Sequence, residues 1–454
     1  MNTRVERWKT IINIAWPLII ANSFWNLQLT IDRLFLSRHS TEAIGAVIAV
    51  MGVFWTPMAL LQQTAAYLTT FTAQYRGARQ LKNIGPALWQ SLYISIGGGL
   101  LFLLFIPGSN ALFAFMGHAE STRVLEVGYF NAICFSALPT AIIATTSAFF
   151  TGLGSTRVII LINSVGLAGN VIFDYLLIFG NLGFPAMGVK GAGYATALAN
   201  TLAAGYGIYL VFTADNEKKY HVYSGWTPNL DTMKRYIKYG LPSGLQWALE
   251  GLAFSVFLII IGRMEQGSAA LASSGIVVTV MLLAVLPVVG IAQAGSVLVG
   301  EYLGGKNPEE AEASTWSTLQ VGLLYIVPLG VSFILVPGFY LNWFYNPENQ
   351  QMWNQVNVMV PILLMYVGFF TSFDCINLVF SFALKGAGDT RFVSLVALLI
   401  PWPIMVIPSW FLRNETGALY WAWGAASIYV VTQSLIYWRR FAGSRWKHMS
   451  VIRL

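Results

Sequence analysis

Residues 151–157 read TGLGSTR and residues 385–391 read KGAGDTR. Each follows a long apolar run and opens another. Gly152, Gly154 and Arg157 match Gly386, Gly388 and Arg391 at a spacing of 234 (386 − 152). Outward from these loops the correspondence continues. Residues 13–46, NIAWPLIIANSFWNLQLTIDRLFLSRHSTEAIGA, align with 238–272, KYGLPSGLQWALEGLAFSVFLIIIGRMEQGSAALA, through Pro17 and Pro242, 225 apart (242 − 17). TAQYRGARQ (72–80) aligns with VGEYLGGKN (299–307) through Gly77 and Gly304, 227 apart (304 − 77). Anchors at nearly constant spacing mean that one unit is written twice.

The composition says what kind of unit. Of 454 residues, 56% are hydrophobic and 10% charged, against about 25% charged in a soluble domain. A spanning helix needs roughly 20 apolar residues. Apolar runs fall at about 11–36, 44–72, 86–107, 124–151, 157–180, 189–214, 236–262, 268–303, 311–342, 354–384, 391–412 and 416–438. The fold class is therefore an all-α polytopic membrane protein with twelve transmembrane helices in two six-helix lobes. An even number of spans per copy keeps both copies in one orientation, so a pseudo-two-fold axis along the membrane normal is expected. The expected division is 1–214 (spans 1–6), a cytoplasmic linker 215–235, 236–438 (spans 7–12) and a basic cytoplasmic tail 439–454. The cleft between lobes is the expected substrate path.

All but six of the 26 Lys and Arg residues fall in the termini and even-numbered loops; the exceptions are Arg33, Arg38, Arg123, Lys190, Arg263 and Arg413. By the positive-inside rule both termini are cytoplasmic. The basic tail reads as a membrane-surface anchor rather than a nucleic-acid patch. Met1 to Lys9 before an apolar run mimics a signal peptide, but the run is too long and is kept as the first span. Cys134 and Cys375 lie in apolar segments and imply no disulfide framework.

Ionisable residues inside spans are costly and point to function. Asp32 and Asp174 lie in the first half, Glu250 and Asp374 in the second. Two such acids per half suggest movement of protons, cations or cationic solutes. In the fifth span Asn163, Asn170 and Asp174, seven and four apart, share one helix face. Asn163 alone reads as an interhelical hydrogen-bond seam. Gly166 and Gly169 would admit a close neighbour. In the first span Asn22, Asn26 and Gln28 precede Asp32, and Pro17 weakens the helix enough to let it bend. Asp32 could pair with Arg33 at the outer helix end, but adjacent helical residues point in different directions, so Arg33 need not neutralise it. Gln246 and Glu250 share a face of the seventh span; Phe370, Asp374, Asn377 and Ser381 share one of the tenth. The second-half acids could also do no more than hold their helices together. Most of the sixteen Trp read as interfacial belts. Trp25, Trp55 and Trp247 fall near the polar positions and could stack on organic cations.

His39, His118, His221 and His448 all fall in expected loops or the tail, and no Cys/His cluster, P-loop or nucleophile elbow is present. An ATP-driven pump and an intramembrane hydrolase are unsupported. Transport would draw on an ion gradient.

The chain resembles the multidrug and toxic compound extrusion (MATE) family, NorM-like members in particular. The likeness covers all twelve spans. It is carried by Pro17 with Asp32, NVIFDYLLIFG (170–180), GVKGAGYATALAN (188–200), GEYLGGKNPEEA (300–311) and ALKGAGDTR (383–391). The resemblance implies a V-shaped pair of lobes and export of cationic, amphipathic drugs or dyes in exchange for H⁺ or Na⁺. It implies a first-half ion site at Asp32, Asn170 and Asp174 with a hydroxyl at Thr196. It implies a second-half ion or substrate site at Glu250 and Asp374, with Gln246 beside them. The sequence departs from sodium-binding members at Phe370, where they carry a tyrosine. A hard cation needs several oxygens, so H⁺ is favoured, with Na⁺ at Asp32, Asn170 and Asp174 as the alternative. The reading is a multi-pass antiporter of the bacterial inner membrane, bending its first helix at Pro17. It is expected to be no enzyme, to carry no cofactor, to act as a monomer and to bind no nucleic acid. Its partners are the bilayer, drugs and dyes, with Trp25, Trp55, Trp247 and Phe370 as aromatic contacts. The rival is a lipid or lipid-linked-sugar flippase of the same superfamily, which would need cationic grooves where this interior is acidic.

Overall fold

The computed structural model describes residues 3–117, 119–345 and 350–453, and among them no residue is in a β-strand. Twelve helical segments long enough to cross a bilayer follow one another among these residues. In chain order the first six are α1 (Arg4–His39), α2 (Thr41–Ala66, continued by Leu68–Gly77), α3 (Ile84–Leu101), α4 (Glu120–Cys134 then Ala137–Gly152), α5 (Arg157–Phe179) and α6 (Gly188–Val211). The second six are α7 (Leu230–Gly262), α8 (Gly267–Gly304), α9 (Pro308–Leu335), α10 (Gln350–Ala387), α11 (Thr390–Leu399, continued to Phe411) and α12 (Ala418–Ala442). Eight are apolar enough to span unaided, and two more qualify as bent pairs. The remaining two, α1 with 36 residues and α12 with 25, are long enough but more polar. Leu161, Ile172, Leu324 and Ile428 stand exposed on these helices. Apolar side chains turned outward in such numbers suit lipid rather than water.

Breaks have local causes. The two parts of α4 meet at 41°, and Pro139, in the first turn of the second part, removes a backbone donor there. In α11 the run from Trp402 to Val406 is a π-turn next to Pro401. The charged stretch expected as a linker is ordered: Ala214–Tyr220 is a short helix capped by the Thr213 hydroxyl, and α7 begins at Leu230. His39 closes α1, and His118 lies outside the described residues.

The chain packs as two compact units. The first comprises Ile20–Ala248, Gly304–Lys306 and Ser450–Leu454; the second comprises Met1–Ile19, Leu249–Leu303 and Asn307–Met449. In the first, Leu36, Val50, Phe54, Phe130 and Ile178 share a core with Tyr129. The C-terminal residues belong to this unit: the Gln74 side chain accepts bonds from Val451 N at 2.9 Å and Ser450 Oγ at 3.0 Å. In the second, Asp389 accepts two bonds from Arg440, at 2.6 and 3.3 Å.

The repeated motif has the same backbone role in each copy. A Cβ on Gly152 would lie 2.5 Å from Thr72, and one on Gly386 would lie 2.6 Å from the Ser296 carbonyl. Each glycine lets its helix end approach the neighbouring helix. Gly154 and Gly388 then turn the chain with φ of 73° and 105°, a region open to glycine without penalty. Arg79 and Lys306, 227 apart (306 − 79), both have φ of 58°.

Candidate ion and substrate site

Within the first unit, α5 and α6 pack closely, with Gly169 against Ala199. This brings Asn170 and Asp174 to the inside, both fully buried, and turns Thr196 inward from α6 at 6% exposure. Asp32 joins them from α1 at 7% exposure, while Arg33 is exposed. The carboxyl of Asp32 faces both Asp174 and the Asn170 amide closely enough to interact. Even so, one oxygen of Asp32, both of Asp174 and both amide atoms of Asn170 lack a hydrogen bond of good geometry. Buried polar atoms are satisfied in the large majority of cases. A group of five that are not, on three side chains, is an arrangement a proton or a cation would complete. The Thr196 hydroxyl donates to the Ala192 carbonyl at 3.1 Å, which leaves its lone pairs available. Among the described residues no three His, Cys, Asp or Glu side chains group together. A cation here would therefore draw on amide and hydroxyl oxygens as well as carboxylates.

Asp32 also lines a cavity whose empty space, including its mouth, is about 430 Å³. Trp25 and Trp55 form one wall, rings 5.8 Å apart and inclined by 40°. Met51, Met58 and Tyr129 lie along it, and Thr196 lines it too. Tyr129, which the sequence reading passed over, lies beside both acids. The pair Asn200 and Thr140, joined at 2.9 Å, also lines the cavity. Asn163 bonds its own helix, donating to the Ile159 carbonyl at 2.9 Å. Gln246, 4% exposed, and Trp247 belong to this unit near the end of its share of α7 and do not line the cavity.

Within the second unit a chain of side-chain bonds links the two acids. Asn377 reaches Asp374 at 3.5 Å and donates to Gln433 Oε1 at 3.1 Å; Gln433 Nε2 donates to Glu250 Oε1 at 2.9 Å. Gln433 also contacts the Tyr437 hydroxyl at 3.3 Å, which donates to the Val393 carbonyl at 3.0 Å. Phe370 is 4% exposed and stacks at 6.5 Å on Trp423, away from any open surface. A phenol does approach both acids, but it is Tyr429 of α12. Tyr429, Gln433 and Tyr437, spaced by four, form one face of α12. That spacing was the signal available in the sequence.

A helical bundle with acids buried inside apolar spans and an aromatic cavity against one of them defines a polytopic membrane transporter. The MatE family model matches residues 17–176 and again 242–411, once in each copy of the repeat. The chain belongs to the MatE family. It is 25% identical over 453 residues to a probable multidrug resistance protein NorM of Thermotoga maritima, covering 98% of this chain and 94% of that one. To the probable NorM of Shewanella oneidensis it is 28% identical, covering 87% and 85%. A solved MATE structure in the straight conformation superposes with a TM-score of 0.86 at 20% identity, covering 97% of each chain. One in the bent conformation gives 0.86 at 19%, covering 98% and 99%.

Proposed function

We propose that this chain exports cationic, amphipathic drugs and dyes across the bacterial inner membrane in exchange for protons, Na⁺ being the alternative ion. The observation that carries the reading is the double placement of Asp32. One side of it lines the cavity walled by Trp25 and Trp55; the other faces Asp174 and Asn170. A single carboxylate can therefore answer to both cargoes.

A charged Asp32 attracts an organic cation whose rings lie on the tryptophans. Protonation removes that charge, and the attraction with it, in a medium too poor in water to screen the difference. Loading from the less acidic cytoplasm and release on the more acidic side then follow from one titration. Asn170 orients the acid pair. Pro17, inside α1, gives that helix a point at which to bend as the charge beside it changes. Glu250 and Asp374 serve as a second ion or substrate site. Both termini face the cytoplasm, as the Lys and Arg distribution favours, and the protein works as a monomer. A flippase for phosphate-bearing lipids would want cationic side chains in the cavity, and its lining holds no Lys or Arg. The names of the NorM relatives, multidrug resistance proteins, agree with the drug-export reading.

The test is ethidium transport in inside-out vesicles, driven by an imposed ΔpH or an imposed Na⁺ gradient, with Asp32→Asn as control. Uptake on ΔpH, lost in the variant, is the expected result. Uptake that Asp32→Asn leaves unchanged would overturn the role given to Asp32.

A further inference from the structure

Three helices each give the cavity of the first unit a pair of polar side chains four residues apart. The pairs are Gln28 and Asp32 of α1, Ser136 and Thr140 at the break of α4, and Thr196 and Asn200 of α6. All six residues are buried. A spacing of four keeps both members of a pair on one helix face. Trp25, three residues before Gln28, joins Met51, Trp55 and Met58 of α2 in the apolar part of the lining.

The polar part of the lining consists chiefly of acceptors. The hydroxyls of Ser136 and Thr196 commit their hydrogens to their own helices, donating to the Ile133 carbonyl at 2.7 Å and the Ala192 carbonyl at 3.1 Å. Lone pairs are what they have left to offer. The Asn200 NH₂ donates to Thr140 Oγ1 at 2.9 Å. That bond sets the amide's orientation and leaves its oxygen without a partner among the described residues. The Gln28 amide likewise makes no hydrogen bond among the described residues. Neither group is sealed off from open space. Acceptors of this kind are hydrated when no ligand is present. A ligand that displaces the water must donate in its place or leave them buried and unpaired, which lowers affinity.

We propose that the cavity selects flat organic cations that carry N–H groups, such as aryl amines, amidines and guanidines, over cations of the same shape that carry none. Gln28 and Asn200 are the specificity-determining residues. Asp32 answers the charge, the tryptophans answer the ring, and the two amides answer the N–H groups. A site built to bond an N–H discriminates against the analogue that lacks it, because its own polar groups are then left unpaired. The inference deepens the proposed export of cationic drugs and rests on that reading.

The experiment is equilibrium binding, by isothermal titration calorimetry on the full-length protein in detergent. Its two probes are ethidium and 5-ethyl-6-phenylphenanthridinium, the same ring cation without the two amines. Wild type should bind ethidium roughly tenfold more tightly. Asn200→Leu and Gln28→Leu should each cut that ratio severalfold, and the double variant should bring the two probes close to parity. A merely structural role would weaken both probes alike and leave the ratio where it was. Parity in wild type, or a ratio that neither variant changes, would overturn the selection while leaving drug export standing. Failure of wild type to bind either probe would overturn the drug-export reading, and this inference with it. If Asn200→Leu does not accumulate, Gln28→Leu reads the same ratio.

Discussion

Asp32 of α1 and Asp174 of α5 face each other across the interior of the first unit, both buried, with Asn170 beside them. Two carboxylates this close in a medium that cannot hydrate them favour uptake of a positive charge between them. The fold keeps this arrangement although three of the four carboxylate oxygens lack a good hydrogen bond, a cost without structural return.

Asp32→Asn and Asp174→Asn should therefore abolish efflux while sparing the fold. Each replaces a buried carboxyl that faces another acid with an amide of the same shape, so the fold should tolerate it. The expected outcome is a drug-sensitive host, normal protein levels and an unchanged or raised Tm. Variants that lose expression together with transport would mean that the acids hold the helices together instead.

Trp55 is the next test. If its ring carries part of the substrate, Trp55→Ala should weaken planar organic cations by about 0.5–2 kcal/mol, roughly 2- to 30-fold in apparent affinity. Trp55→Phe should keep most of it. The comparison of half-saturating ethidium concentrations for the two variants checks this. Equal losses in both would place the role of Trp55 in packing against Trp25 rather than in binding.

Gly386 and Gly152 test the repeat. A Cβ at Gly386 would meet the Ser296 carbonyl at 2.6 Å, and one at Gly152 the Thr72 side chain at 2.5 Å. Over-filling such contacts costs about 1–3 kcal/mol. Gly152→Ala and Gly386→Ala should cost similar amounts, because each Cβ also meets a backbone oxygen, of Thr69 at 2.7 Å and of Ser296 at 2.6 Å. Thermal unfolding in detergent of the two alanine variants checks this; a large loss in only one of them would break the equivalence of the repeats.

The sequence carried the spans, the repeat and the polar face of the fifth span because each leaves a local trace. Apolar runs of bilayer length mark the spans, and Asn170 and Asp174, four apart in an apolar helix, declare their own face. What it could not carry is which helix that face meets. Gln433 is one amide in an apolar span until Glu250 and Asn377 are seen on either side of it. Tyr129 is one aromatic among many until it lies beside Asp32 and Asp174. Phe370 illustrates the reverse: the sequence marked a missing oxygen, and the structure brings a phenol from Tyr429 on α12.

The coupling ion turns on Thr196. Its hydroxyl hydrogen is committed to the Ala192 carbonyl at 3.1 Å, so toward the acids it can act only as an acceptor. A proton needs one carboxylate and no such acceptor. A hard cation needs several oxygens, and with no third acid grouped here among the described residues the hydroxyl is one of few remaining. Thr196→Val removes the oxygen and keeps the shape. Under proton coupling, ΔpH-driven ethidium transport by Thr196→Val should stay within about twofold of wild type, because no cation shell is being dismantled. Under Na⁺ coupling, the same variant should need several-fold more Na⁺ for half-maximal transport. Asp32→Asn abolishes transport under either ion, so it cannot separate them; the hydroxyl can, since it matters to one ion and not to the other.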